Sequence, residues 1–142
     1  MIGDDVIRVA AEVEGTPFRH QGRQPGLGLD CAGLYVYVCQ SLGIPHLDAV
    51  GYPRTPYDGQ LERQLDAQPA LRRIPKEDAK KGDILIMRMS RSPQHITFHA
   101  GEFYGHPYVI HASEMHGKVC LHRLDSDWFG RVVGAYRFEV NE

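Results

Sequence analysis

The chain of 142 residues has few cysteines, no excess of positive charge and no long apolar segment. Its three cysteines cannot all pair with one another and are too few for a disulfide framework, which favours a reducing environment. Lysine and arginine (16) do not outnumber aspartate and glutamate (18), which argues against nucleic-acid binding driven by phosphate neutralisation. No apolar run approaches the roughly 18–20 residues that a membrane helix needs.

The N-terminal segment MIGDDVIRVA also lacks the features of a signal peptide. It has aspartates where lysine or arginine would be expected, and no apolar stretch follows. We therefore expect no signal peptide. The length and the 42% hydrophobic content predict a single domain over residues 1–142 with a sizeable core.

Helical patterns come first in the chain and strand patterns follow. Three helices are expected, over 4–13, 31–42 and 59–67. Asp30 is a good N-cap for the second helix, and Gly43 is a good stop. Strands are expected over 84–89, 95–103, 107–113, 118–124 and 131–140. The connections predicted to be irregular are 20–29, 45–57, 69–75 and 125–130. This order predicts an α+β fold with an antiparallel sheet.

Cys31 differs from the other two cysteines in its position. Cys39 and Cys120 lie in apolar patterns, where a cysteine is usually a small buried hydrophobe. Cys31 follows a glycine-rich loop and begins a helix, where free N–H groups and the helix dipole favour a thiolate. Position alone supports a structural cysteine and a reactive one about equally.

Six of the eight histidines lie late in the chain: His95, His99, His106, His111, His116 and His122. Zinc binding is the obvious alternative for such a set. However, His95 and His99 would lie about 13 Å apart along a strand, and no glutamate follows the first histidine as in the helical zinc-protease motif. We therefore expect neither a metal nor another cofactor, and we expect most of these histidines to be solvated or satisfied by ordinary hydrogen bonds.

Two of the histidines become neighbours if the strands around them form a hairpin. A turn centred near Tyr104 would pair His95 with Ser113 and Thr97 with His111. His95 and His111 would then be diagonal neighbours on one face, about 7–8 Å apart at the backbone and within reach of two imidazoles. With a thiol opposite, one histidine could act as a base and the other could orient it.

Four elements in order resemble the NlpC-type cell-wall cysteine peptidases: GTPFRHQGR, LDCAGL, HITFHAG and VIHAS. KGDIL lies between the cysteine and the first histidine of this set, where that family usually has a Pro-Gly-Asp element. The resemblance covers nearly the whole chain, from about Ile7 to the final VVGAYRF. It is strongest to the short versions found among phage tail proteins.

The resemblance implies a papain-like fold, with helices packed on a small antiparallel, barrel-like sheet. It implies that Cys31 is the nucleophile, that His95 is the general base, and that His111 is the third polar residue, which orients His95. Asp30 would cap the helix and contact the amine of the peptide. The usual substrate in the family is the bond from γ-D-glutamate to diaminopimelate or lysine in peptidoglycan stem peptides.

Two residues beside the nucleophile depart from the family pattern. Phe18 stands where tyrosine is usual, and Ala32 stands where serine is frequent. Both changes remove a hydroxyl, so we expect these two positions to alter the contacts with the substrate. Lys81 replaces the proline of a Pro-Gly-Asp element, a change that we expect to be harmless.

The leading hypothesis is a peptidoglycan endopeptidase at a phage or phage-like tail tip, made in the host cytoplasm. Its partners would be the stem peptide and tail-tip or hub proteins, without nucleic acid or a membrane span. A second hypothesis is a structural tail-assembly protein that uses the fold as a plug or docking module. A third is a papain-like amidase or acyltransferase with another amide substrate. Intact Cys31, His95 and His111 favour an enzyme, whereas Phe18 and Ala32 leave a loss of activity open.

Overall fold

The structure, a computed structural model, describes residues 1–49, 51–52, 59–89 and 93–140, with Pro93 and Gln94 as backbone only. The helices within these ranges are α1 (Ile2–Glu12), α2 (Cys31–Leu42), α3 (Gln60–Asp66) and α4 (Ser126–Phe129). The strands are β1 (Arg23–Gln24), β2 (Gly28–Leu29), β3 (Leu71–Ile74), β4 (Ile84–Arg88), β5 (Pro93–Phe103), β6 (His106–Ser113), β7 (Lys118–Arg123) and β8 (Val132–Phe138).

Six of the strands form one sheet in the order β3-β8-β4-β5-β6-β7, and all neighbouring strands are antiparallel. The helices α1 and α2 pack against one face of this sheet, where the larger hydrophobic core lies. A smaller core covers the opposite face and includes Leu85, Met87 and Val109. The predicted α+β class is therefore confirmed.

Helix α2 is the central element of the larger core. The Asp30 side chain accepts a hydrogen bond from the Gly33 backbone N–H at its start, and Gly43 ends it in the left-handed conformation. Its side chains are apolar almost all round, which suits a helix enclosed by the sheet and by α1. None of the helices in the described ranges is long and apolar enough to cross a bilayer.

Three segments expected to be irregular contain short regular elements instead. The connection 20–29 includes the two-stranded ladder β1–β2, 69–75 includes β3, and 125–130 includes α4. The expectation for 69–75 was wrong because β3 is an edge strand that depends on its pairing with β8, and its exposed arginines hide the alternation. Of the predicted connection 45–57, positions 50 and 53–57 lie outside the described residues.

We expect Gly33→Ala to destabilise the fold. A Cβ at this position would lie 2.1 Å from the backbone oxygen of Gly22, so the loop before α2 would have to move. Overpacking of this kind costs roughly 1–3 kcal/mol, more than the gain of about 1 kcal/mol from the better helix propensity of alanine. Urea unfolding measures the change.

The matched control is Gly130→Ala at the end of α4. There a Cβ would meet its nearest neighbour, the Ser126 oxygen, at 3.4 Å, an ordinary contact. Backbone φ at Gly130 is −62°, which alanine adopts readily. Equal unfolding free energies for the two variants would show that the contact between Gly33 and Gly22 does not constrain the fold.

Candidate active site

A cavity of about 300 Å³ lies at the end of the sheet where β5 begins and α2 starts. Its lining includes five of the predicted site residues: Phe18, Asp30, Cys31, Ala32 and His95. The sixth, His111, is completely buried and contacts the His95 ring instead of the cavity. The fold thus brings the predicted nucleophile and the predicted base to one cavity.

The pairing of β5 with β6 places the two histidines in contact. Phe98 pairs with Ile110 and His99 pairs with Val109, which is the predicted register, and an extra residue in β5 then shifts the pairing towards the turn. Nε2 of His95 lies 2.6 Å from Nδ1 of His111. The predicted register and the diagonal contact of the two rings are both confirmed.

A third imidazole continues this chain across the next strand. Nε2 of His111 lies 2.8 Å from Nε2 of His122, whose Nδ1 lies 2.9 Å from the Arg123 carbonyl oxygen. We call the series His95–His111–His122 the imidazole relay. His122 was not among the predicted site residues, because only the pairing of β6 with β7 shows that it is a diagonal neighbour of His111.

The carbonyl at the end of the relay determines where its protons lie. A carbonyl oxygen only accepts, so Nδ1 of His122 carries a proton and its Nε2 accepts from His111. Nδ1 of His111 in turn accepts from Nε2 of His95. In the neutral relay, Nδ1 of His95 is therefore the proton-free nitrogen and can accept a proton.

Burial favours the neutral forms of His95 and His111. His95 is 8% exposed and His111 is fully buried. Burial lowers the pKa of His95 to about 4 and also lowers the pKa of His111. The Trp128 ring packs against His111 and His122, with ring centroids 5.5 and 4.7 Å away. The lowered pKa values favour the uncharged forms of the two buried histidines, His95 and His111, at neutral pH.

Burial also favours the neutral form of the Cys31 thiol. Burial raises its pKa to about 11, and the nearby Asp30 carboxylate adds to this effect. Backbone hydrogen bonds from Ile96 and Ala32 oppose the shift but do not outweigh it. Burial therefore affects the pKa of Cys31 more than the helix N-terminus does, although that position by itself favours a thiolate.

Asp30 is the centre of the polar network under α2. Its Oδ1 accepts from the Gly33 N–H at 2.8 Å and from Arg23 at 3.0 Å. Its Oδ2 accepts from the Gln21 N–H at 2.8 Å and from the Tyr52 hydroxyl. The predicted helix cap is confirmed, whereas contact of Asp30 with the amine of a substrate stays a prediction.

Tyr52 brings a hydroxyl to the cavity lining that the sequence analysis missed. Arg23 donates to Asp48 at 2.9 Å and to the Tyr52 hydroxyl at 2.9 Å, and thereby joins two segments distant in sequence. No local sequence pattern indicates this arrangement, because Tyr52 is 22 residues from Asp30.

Two members of the relay and two neighbouring side chains could together hold a metal ion: His111, His122, His116 and Cys120. Their ligand atoms lie within 4.8 Å of one another. The spacing of His95 and His99 along the chain gives no sign of this group, because it is the β6–β7 pairing that places Cys120 directly opposite His111. The proximity therefore comes from the strand pairing and not from a local motif.

We expect iodoacetamide, in limiting amount near neutral pH, to label Cys31 first. Cys31 is half-buried and lines the cavity with His95, which can take its proton, whereas Cys39 is fully buried. Peptide mapping by mass spectrometry compares Cys31 with Cys39 and Cys120 in the same sample. Labelling of Cys31 should slow in His95→Ala, and preferential labelling of Cys39 or Cys120 would contradict the assignment.

Residues 15–137 match the model of the NlpC/P60 family. Over 137 residues the chain is 26% identical to a protein of Bacillus subtilis (strain 168) named gamma-DL-glutamyl hydrolase. This match covers 96% of the chain but only 30% of the relative, so the chain spans less than a third of its length.

Solved structures of this family share the fold. The NlpC/p60 domain of the peptidoglycan hydrolase SagA superposes with a TM-score of 0.62 at 23% identity, covering 95% of this chain and 97% of that one. A Staphylococcus aureus lipoprotein-like NLP/P60 protein gives a TM-score of 0.67 at 21% identity, covering 99% of this chain and 42% of that one. With the family model matched over residues 15–137, the chain belongs to the NlpC/P60 family.

Proposed function

We propose that this chain is a cysteine peptidase that hydrolyses an amide bond of peptidoglycan stem peptides. Cys31 is the nucleophile and His95 is the general base, while His111 and His122 are positioning residues. The observation that carries the proposal is the imidazole relay, which ends at a carbonyl and leaves Nδ1 of His95 without a proton, together with the cavity that His95 and Cys31 both line.

The names of two relatives support the class of substrate. The Bacillus subtilis relative is named a gamma-DL-glutamyl hydrolase, and SagA is named a peptidoglycan hydrolase. We therefore propose the bond from γ-D-glutamate to diaminopimelate or lysine as the bond that is cut. Phe18 and Ala32 line the same cavity without a hydroxyl, so any hydroxyl contact with this substrate comes from other groups.

The first half of the reaction begins from a neutral thiol and a neutral imidazole. Nδ1 of His95 takes the thiol proton as Cys31 sulfur attacks the carbonyl carbon, and the relay disperses the charge that forms on His95. The backbone N–H at the very start of α2, ahead of the Gly33 N–H that Asp30 caps, has no acceptor within the helix and can stabilise the oxyanion. The tetrahedral species then collapses to a thioester as His95 donates its proton to the leaving amine.

The second half uses the same groups in reverse order. His95, neutral again, takes a proton from water as the water oxygen attacks the thioester carbon. Collapse of this second tetrahedral species breaks the carbon–sulfur bond and releases the carboxylic acid. The proton held by His95 returns to Cys31, and the site regains its resting state.

We also propose that the enzyme acts at a phage or phage-like tail tip, with tail-tip or hub proteins as partners. The support is the similarity of its motifs to short tail versions of the family. Tail genes on both sides of its gene would strengthen this proposal. Neighbours that only build or remodel the cell wall would contradict it.

The test is cleavage of synthetic stem peptides containing γ-D-glutamyl-diaminopimelate or γ-D-glutamyl-lysine, with the products identified by mass spectrometry. We expect cleavage by the wild type, none by Cys31→Ala, and a loss on the order of 10²–10⁴ in rate for His95→Ala, because a general base is removed. His111→Asn should retain more activity than His111→Ala, since asparagine can still accept the ring N–H.

His99→Ala is the matched control on the same strand. The His99 ring accepts a hydrogen bond from the Gly101 N–H, outside the relay and the cavity lining. Its loss should lower stability but leave the rate per folded molecule nearly unchanged, with circular dichroism as the check of folding. A folded, inactive His99→Ala beside an active His95→Ala would overturn the assignment of the base. Absence of cleavage by wild type with Cys31 still reactive would favour the structural tail protein.

We further expect hydrolysis to survive EDTA and to stop after alkylation of Cys31. Each proton transfer in the mechanism uses sulfur, imidazole or water, and no step needs a metal ion. Peptide turnover is measured after dialysis against EDTA and, in parallel, after iodoacetamide treatment. Loss of activity in EDTA that returns with added zinc would replace the thiol mechanism with a metal-dependent one.

A further inference from the structure

The four potential ligands His111, His116, Cys120 and His122 lie together on the face of the sheet that carries the smaller core. His111 on β6 and Cys120 on β7 are directly paired, His122 lies two residues further along β7, and His116 lies in the turn between the strands. We propose that these four side chains bind a zinc ion, and that zinc bound there switches off His95 as a base.

The hydrogen bonds of the three histidines match the pattern of metal ligands. A metal-binding histidine usually donates its second ring N–H to an oxygen or another acceptor, which orients the ring. The second nitrogen of His122 faces the Arg123 carbonyl at 2.9 Å, and that of His116 faces the Ser113 hydroxyl at 2.7 Å. That of His111 faces His95 at 2.6 Å. Each ring therefore has a supporting partner at one nitrogen, and zinc would take the other nitrogen, replacing the hydrogen bond between His111 and His122.

The donor set and the spacing suit zinc. Zinc prefers four nitrogen and sulfur ligands in a tetrahedron, with bonds of about 2.0–2.1 Å to nitrogen and about 2.3 Å to sulfur, which places the ligand atoms roughly 3.3–3.8 Å apart. The four atoms here lie within 4.8 Å of one another, and the two Nε2 atoms of His111 and His122 are 2.8 Å apart. Ring movements of roughly an ångström would complete the tetrahedron.

A path for the ion also exists. His116 is exposed, and Cys120 and His122 are half-buried, so three of the four ligands can be reached from solvent. Trp128 packs beside the three histidine rings and supplies an apolar wall that limits access of water. Zinc would bind as the Cys120 thiol releases its proton to solvent, while the histidines bind as neutral imidazoles.

Zinc at this site would reverse the direction of the hydrogen bond between His95 and His111. Coordination through Nε2 of His111 moves the proton of that ring to Nδ1, which then donates to Nε2 of His95. The proton of His95 must therefore lie on Nδ1, the nitrogen that otherwise accepts the Cys31 proton. No proton is gained or lost in this rearrangement. This consequence rests on the proposed function, whereas binding of the ion does not.

Cobalt(II) is the probe for binding, since it takes the place of zinc and reports thiolate ligands and tetrahedral geometry by absorption. We expect one cobalt ion per chain, an intense tetrahedral spectrum and a thiolate charge-transfer band, all abolished by added zinc. Cys31→Ser should keep the band and Cys120→Ser should lose it, with Cys120→Ala as a second variant. Affinity for zinc should fall roughly tenfold or more in His116→Gln. It should stay unchanged in His106→Gln, because His106 is exposed and lies outside the cluster.

The effect on His95 is tested without substrate. Nitrogen-15 NMR of the histidine rings should show Nε2–H on His95 and His111 in EDTA, and Nδ1–H on both with zinc. Alkylation of Cys31 should slow with zinc in wild type, recover in EDTA, and respond far less to zinc in Cys120→Ser. Peptide turnover, expressed relative to the same variant in EDTA, should follow the alkylation rates.

The results of these experiments test the metal site, the switch and the proposed function separately. Absence of a thiolate–cobalt spectrum, or one that is lost in Cys31→Ser and kept in Cys120→Ser, would overturn the metal site. Cobalt binding with unchanged histidine tautomers would overturn the switch. A wild type that cleaves no stem peptide would refute the proposed function, while the spectra and the tautomers would still decide the metal site.

Discussion

The register of β5, β6 and β7 is the constraint on which the candidate site depends. His95, His111 and His122 are diagonal neighbours on three successive strands, so a slip of one residue in either pairing would turn one ring to the other face of the sheet. The extra residue in β5 before Gly101 lets the pairing beyond it differ from the pairing at the relay. The tight turn and the histidine contact can therefore coexist in one hairpin.

Burial then determines the charge state of the groups that the register assembles. Cys31 is the first residue of α2, and the N-terminus of a helix favours a thiolate. In this cavity, desolvation and the Asp30 carboxylate have the larger effect, and the thiol stays protonated. Desolvation also keeps His95 and His111 neutral. A neutral pair must transfer its proton during the attack on the substrate, so the orientation of His95 becomes important.

The Arg123 carbonyl sets the direction in which hydrogen bonds are donated along the relay. A row of imidazoles has two equivalent arrangements of its protons, and a group that only accepts hydrogen bonds at one end selects one of them. A cation at the same end would select the other arrangement, because it takes the nitrogen lone pair that otherwise accepts a proton. The proposed peptide hydrolysis and the proposed zinc switch thus depend on one set of hydrogen bonds.

Local sequence patterns were sufficient to predict the α+β class, helix α2 with its Asp30 cap and Gly43 stop, and the hairpin that joins His95 to His111. These features depend on residues close together in the chain and on the period of a helix or strand. The edge strand β3, the Tyr52–Arg23–Asp30 network, and the cluster of His116, Cys120 and His122 behind His111 depend on tertiary structure. Their partners are brought together by sheet pairing and loop packing, and the protonation of Cys31 depends on burial, which only the folded chain determines.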